Sequence, residues 1–324
     1  MLKPVASALA AMLLAGPMSA AEFTSPDIPG RVELHTIASS TLSDAEFLGK
    51  MPGVPVTVAG ELRLPAGKGP FPAVVLMHGS SGIGANIEPW VRQYIAMGVA
   101  TFVIDSVTGR GVRGLGDKQA SVGRLNYITD IYGALDLLSQ DDRIDPERIA
   151  LQGFSRGGQA ALYATVTRFN ALWNPGSGHF ASFVAFYPNC LTEYMEDTAV
   201  ADVPIRIFHA AQDDYNPPAT CETYVQRLKA AGADVEMTVY PNARHGFDYP
   251  TKEAVTFDLA TAQTARNCKM RETEAGVITN LDTGKPFSYA DACVDLGPHV
   301  GSDPEATQQA YTAVIAHMRT VFGL

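Results

Sequence analysis

Ile149-Ala150-Leu151-Gln152-Gly153-Phe154-Ser155-Arg156-Gly157-Gly158-Gln159-Ala160-Ala161-Leu162-Tyr163-Ala164 runs from a short apolar strand through a glycine-flanked serine into a helix-forming segment. This is the G-x-S-x-G pattern in the strand-turn-helix setting that gives it chemical meaning. The glycines have a steric reason. A serine held on so sharp a turn brings neighbouring backbone very close, and only residues without a Cβ fit there. The turn exposes the hydroxyl, and the helix start beneath it favours developing negative charge.

Working outward, a continuous apolar run of strand length occurs at residues 73–77, and further strands are read at residues 100–105, 182–187, 204–209 and 235–240. Helical spacing separates them at residues 87–97, 117–139 and 222–231. Strands alternating with helices at this rhythm predict an α/β fold with a mainly parallel sheet covered on both faces. Residues 56–65 alternate like a half-exposed strand, and a further strand is expected near residues 31–37.

A serine hydroxyl needs a base to take its proton and a third group to orient that base. With a serine elbow the chain order is Ser, then Asp or Glu, then His. The strand ending at His209 runs into Asp213-Asp214-Tyr215-Asn216-Pro217, and the strand ending at Tyr240 into Arg244-His245-Gly246-Phe247. Both groups appear in the required order, each just after a strand. Upstream, His78-Gly79-Ser80-Ser81-Gly82 follows the 73–77 strand. It reads as half of an oxyanion hole, with the backbone N–H of Ser80 or Ser81 joining that of Arg156. The other histidines, His35, His78, His179, His209, His299 and His317, are read as structural, as are Trp90 and Trp173. Arg110 and Arg113 lie in a glycine-rich loop after a strand and are read as solvated, a contact to an acidic substrate group being the other reading.

Ser155 in G-F-S-R-G-G, the D-D-Y-N-P-P loop and R-H-G-F resemble the dienelactone hydrolase-like branch of the α/β-hydrolase superfamily. The resemblance spans about residues 60–249 and resumes at 299–322. It implies an α/β-hydrolase fold, cleavage of carboxylic esters through an acyl-enzyme, and a catalytic set of Ser155, Asp213 and His245. Asp213 is preferred to Asp214 because the family places its acid four residues before the proline, here Pro217. The family namesake uses a cysteine nucleophile, so the serine at position 155 points to general esters rather than to the namesake substrate. A serine peptidase of related fold and a catalytically silent binding protein are the alternatives.

The chain has 324 residues, 46% hydrophobic and 18% charged, which suits one large domain over residues 22–324. Residues 1–21 combine Lys3, an apolar run and small residues before a cleavage point after Ala21, the pattern of a secretory signal peptide. Removing them leaves 23 basic residues against 34 acidic ones. With no basic cluster, nucleic acid is not an expected partner. No apolar run is long enough to anchor the mature chain in a membrane. A periplasmic or secreted hydrolase of small-molecule esters is the expectation, with no metal or organic cofactor; the sequence sets no oligomeric state. The four cysteines lack metal-site spacing and predict two disulfides; of the three possible pairings, Cys190 with Cys221 and Cys268 with Cys293 is the favoured one. The first would join two loops at strand ends. The second would staple an otherwise irregular insertion at about residues 260–297, either as a border of the pocket or as a surface excursion.

Overall fold

Eight strands hydrogen-bond into one sheet in a computed structural model that describes residues 26–324. They are β1 (Arg31–Thr41), β2 (Val54–Leu64), β3 (Phe71–Met77), β4 (Ala100–Asp105), β5 (Ile144–Phe154), β6 (Ser182–Phe186), β7 (Ile205–Ala210) and β8 (Val235–Tyr240). Their order is β1-β2-β4-β3-β5-β6-β7-β8. β2 pairs antiparallel with β1 and β4, and every other pairing is parallel. The signal-peptide reading of residues 1–21 lies outside the described residues.

The two-residue period of the central strands decides which side chain meets which helix layer. In β3, Val74 and Leu76 pack with Trp90 and Tyr94 of α2 (Ile87–Ala96) and with Val314 and Met318 of α7 (Pro304–Phe322). Their neighbours Ala73, Val75 and Met77 pack on the other face against α3 (Tyr127–Ser139) and α4 (Arg156–Tyr163), in a core that α5 (Thr167–Trp173) and α6 (Pro218–Ala230) extend. Each large apolar side chain buried this way contributes roughly 2 kcal/mol. The chain thus adopts the expected α/β-hydrolase arrangement, with helices on both faces of a mainly parallel sheet.

Three expectations need correction. Residues 117–126 are not α-helical: Gln119–Ser121 makes a single 3₁₀ turn, and α3 starts only at Tyr127. Gly123 donates to the Leu42 carbonyl at 2.8 Å, so close that a Cβ there would stand 2.6 Å from that oxygen. Its contact with the segment before α1 (Asp44–Leu48) holds the loop away from helical geometry. Arg110 is not solvated: its guanidinium grips Asp130 through two hydrogen bonds of 2.7 and 2.9 Å, both side chains being buried. Of the two arginines in that loop, only Arg113 is exposed.

The third correction concerns the insertion. Both disulfides pair as expected, yet Cys221 lies inside α6 rather than in a loop. Residues 260–297 are not irregular. Met270–Glu274 pairs antiparallel with Val277–Asn280 and parallel with Thr192–Glu193, a small sheet docked on the main body. Buried Glu272 anchors it by accepting from Arg168 and from the Met195 backbone N–H.

Candidate active site

Ser155 follows β5 with φ +53° and ψ −116°, a conformation that a non-glycine residue adopts only under constraint. The constraint is steric and hydrogen-bonded. Ser155 N donates to Phe186 O at 3.0 Å, and Ser155 O receives Gln159 N at 2.7 Å. A Cβ on Gly153 would sit 2.0 Å from Gly157 O, and one on Gly157 would sit 2.2 Å from Met77 O. The crossing is therefore open to glycine alone.

Asp213 and His245 occupy the loops after β7 and β8, which the parallel sheet brings to the same edge as the serine turn. His245 Nδ1 donates to Asp213 Oδ2 at 2.8 Å, leaving Nε2 to accept the Ser155 hydroxyl, also at 2.8 Å. The other Asp213 oxygen receives the backbone N–H groups of Tyr215 and Asn216 at 2.9 and 2.8 Å. Three donors, two from the loop and one from the imidazole, thereby fix the orientation of the carboxylate. His209 stands 3.8 Å from the same carboxylate. Its Nδ1 accepts the Ala210 N–H, and burial pushes its pKa down, so it faces Asp213 as a neutral ring.

Asp214 turns the other way. Its carboxylate receives the His299 backbone N–H at 2.9 Å and the His299 Nδ1 at 2.6 Å. Burial raises the Asp214 carboxyl, but the His299 hydrogen bonds outweigh it and hold the pKa below the ordinary value. His78 is buried and structural: Nε2 accepts the Ser106 N–H at 3.0 Å, and burial lowers its pKa. Among the described residues, no three His, Cys, Asp or Glu side chains gather as a metal-ion site.

A cleft of about 610 Å³ opens at Ser155, lined by Phe154, Tyr187, Tyr215, Tyr249, Phe257 and Leu259. The Gly79 loop crosses it so closely that a Cβ on Gly79 would lie 3.2 Å from the Ser155 Cβ. Ser80 and Ser81 both face the cleft, and Arg156 supplies the first residue of α4. The Arg156 guanidinium is buried and turned away from the cleft mouth, donating to the carbonyls of Gln119, Val122 and Gly123.

A second, polar chamber also meets Ser155. Its wall includes Gln119, Arg124, Gln159 and Tyr215, with Gln263 and Tyr289 from the insertion. The insertion therefore borders the site. Arg124 is buried, with Nε 3.4 Å from Asp44 and Nη2 without a hydrogen-bond partner among the described residues; Gln159 Nε2 is likewise unpartnered.

The model of the dienelactone hydrolase family matches residues 58–274. The chain belongs to the dienelactone hydrolase family. Among curated relatives of this family member, a putative carboxymethylenebutenolidase of Yersinia pestis is 25% identical over 197 residues, covering 56% of this chain and 70% of that one. An uncharacterized peptidase, YuxL of Bacillus subtilis, is 25% identical over 221 residues, 59% of this chain. The chain spans only 34% of that peptidase's length. Among solved structures, a dienelactone hydrolase-like promiscuous phosphotriesterase from metagenomic libraries superposes with a TM-score of 0.55 at 18% identity, over 90% of this chain and 99% of the other. That likeness concerns the fold.

Two features of this family member escaped the sequence reading. Arg124 lay inside the supposed helix of residues 117–139, where nothing distinguished it from a solvated cation. Tyr187 and Asp248 were not singled out, although one ends a strand at the site and the other follows His245 by three residues. Tyr187 packs on the His245 ring with centroids 4.7 Å apart, and Tyr215 packs on it at 4.8 Å. Burial pushes the Tyr215 phenol up to about 12.

Proposed function

We propose that this protein is an exported serine hydrolase of carboxylic esters, with Ser155 as nucleophile, His245 as base and Asp213 as the orienting acid. The observation that carries the reading is the unbroken chain from Asp213 Oδ2 through both His245 nitrogens to Ser155 Oγ, with 2.8 Å at each link. His245 Nε2 takes the hydroxyl proton as Oγ bonds to the ester carbon. The tetrahedral oxyanion rests on the backbone N–H groups of Arg156 and of Ser80 or Ser81, each donor being worth about 3 kcal/mol. Collapse expels the alcohol, which leaves with the proton held by His245. Water then gives its proton to His245 and attacks the acyl-enzyme, releasing the acid and restoring Ser155.

The two halves of the site favour an ester with unlike ends. The aromatic cleft accepts an apolar group, while the buried, unpartnered donors of Arg124 and Gln159 suit an acceptor-bearing group, and through Arg124 an anionic one. Export rests on residues 1–21 as a signal peptide and is supported by the two disulfides, which persist in oxidising compartments such as the periplasm or the medium.

A fluorophosphonate probe tests the nucleophile. One adduct on the peptide containing Ser155 is expected; no adduct on folded protein would remove the serine-hydrolase reading. The peptidase relative gives peptides a place beside esters in the assay. Turnover of peptides well above that of esters would move the activity to peptide bonds.

A further inference from the structure

We infer that Tyr187 and Asp248 form a positioning pair that fixes the His245 imidazole between Asp213 and Ser155. The inference rests on the reading of those three residues as the catalytic set. Catalysis by His245 requires Nε2 to be aimed first at Ser155 Oγ, then at the leaving oxygen and then at water, while the ring stays in place. Asp213 fixes the ring at one point, Nδ1. Tyr215 and Tyr187 flank it.

Tyr187 is held more firmly than packing requires. It is buried and keeps φ at +37°, a conformation that persists in a non-glycine residue only where the surroundings dictate it. Its N–H donates to Phe208 O at 2.7 Å, and its carbonyl accepts Asn216 Nδ2 at 3.0 Å. Asn216 in turn donates its own N–H to Asp213, so the Tyr187 backbone is tied to the loop that carries the acid. The phenol donates to Asp248 Oδ1 at 2.6 Å.

Asp248 has no other visible task. It is fully buried, and its remaining oxygen accepts Trp90 Nε1 at 2.9 Å and Asn86 Nδ2 at 3.1 Å. Trp90 Nε1 and Asn86 Nδ2 can only donate, so Oδ2 is held as an acceptor while Oδ1 meets the phenol. No cation stands among these partners. Burial raises its pKa above the ordinary carboxyl value, and the three donors offset only part of that rise. The groups facing it are Asn86 and Trp90 from the α2 side, Tyr187 from the end of β6, and Tyr311 from α7. Those facing His245 are Asp213, Ser155, Tyr187 and Tyr215, with neutral His209 behind Asp213. Asp248 is thus a second buried carboxyl group joined to the imidazole through one residue, the Tyr187 whose ring packs on His245. It locks the ring's neighbour in place.

The test compares the full mature protein with Tyr187→Phe and Asp248→Asn on a p-nitrophenyl ester from pH 5 to 9, with melting temperatures recorded in parallel. In both variants kcat is expected to fall about tenfold or more while KM stays within about twofold. Variants that lose only melting temperature, with kcat and KM unchanged, would overturn the inference. Should Asp248→Asn fail to fold, the kcat-against-KM split of Tyr187→Phe decides alone. Normal fluorophosphonate labelling of Ser155 together with wild-type kinetics in Tyr187→Phe would sink the positioning role and leave the triad standing. Absence of labelling in the wild type would sink both.

Discussion

Asp213 and Asp214 are adjacent in sequence and serve different histidines: the Asp213 carboxylate lies 2.8 Å from His245 Nδ1, and that of Asp214 lies 2.6 Å from His299 Nδ1. Gly301 N donates to His245 O at 2.9 Å, so the strand His299–Ser302 braces the histidine loop from the outside. One carboxylate orients the imidazole, and its neighbour pins the segment that returns from the insertion.

This division separates the two variants. Asp213→Asn should lower kcat by about 10⁴, since the amide favours the wrong imidazole tautomer. Asp214→Asn should keep kcat within about fivefold and instead make the 260–297 segment easier to cleave by trypsin. Steady-state kinetics with limited proteolysis checks both. Equal losses of kcat would contradict the assignment.

The Cys268–Cys293 disulfide closes a loop of 25 residues at the border of the site. Replacing both cysteines by serine should cost about 3 kcal/mol of stability in the chain-entropy view, read as a lower urea midpoint. Labelling of Ser155 should survive, because none of the groups hydrogen-bonded to it lies in that loop.

His317 on α7 gives the fold a pH dependence of definite sign. The Ser182 hydroxyl donates to Pro204 O, so the neutral His317 ring gives its Nε2 proton to Ser182 Oγ at 2.8 Å. Burial, aided by Arg206, lowers its pKa to about 4. The unfolded value is about 6.5. The neutral form is therefore favoured by the fold, and its contribution is complete above pH 6.5 and lost as pH falls towards 4. His317→Gln should flatten the decline of stability across that window, measured by denaturant titration at each pH. An unchanged slope would show that His317 does not report on folding.

Much of this was legible in the chain. Ser155, Asp213 and His245 each follow a strand, and strand ends in a parallel sheet converge at one edge, so local signals were enough to bring them together. The structure departs from the sequence reading where tertiary contact decides. Leu42 lies 81 positions before Gly123 and still sets its backbone, which cut the supposed helix of residues 117–139 short. Asp130 buries Arg110 from a distant helix, and a glycine-rich loop gives no hint of it. The insertion lacks a strong period because its strands are short and half-exposed, with pairing partners such as Thr192–Glu193 far away in the chain. Tyr187 and Asp248 are ordinary residues until their partners Trp90 and Asn86 arrive from α2 and its approach loop.

Arg124 offers a test of substrate choice. Arg124→Gln should lower kcat/KM for a p-nitrophenyl hemi-ester of a dicarboxylic acid by about 10- to 100-fold, the usual worth of a charge-assisted hydrogen bond. The neutral butyrate ester should change by about threefold or less. Equal effects on both esters would assign Arg124 to the fold alone.

The most direct measurement is hydrolysis of a series of p-nitrophenyl esters, from acetate to long acyl chains, by the mature protein beside Ser155→Ala. Turnover by the wild type that falls at least about a thousandfold in the variant is the expected result. The chain-length optimum would then give the depth of the cleft between Tyr249 and Phe257. Equal turnover by the two proteins would contradict Ser155 as the nucleophile.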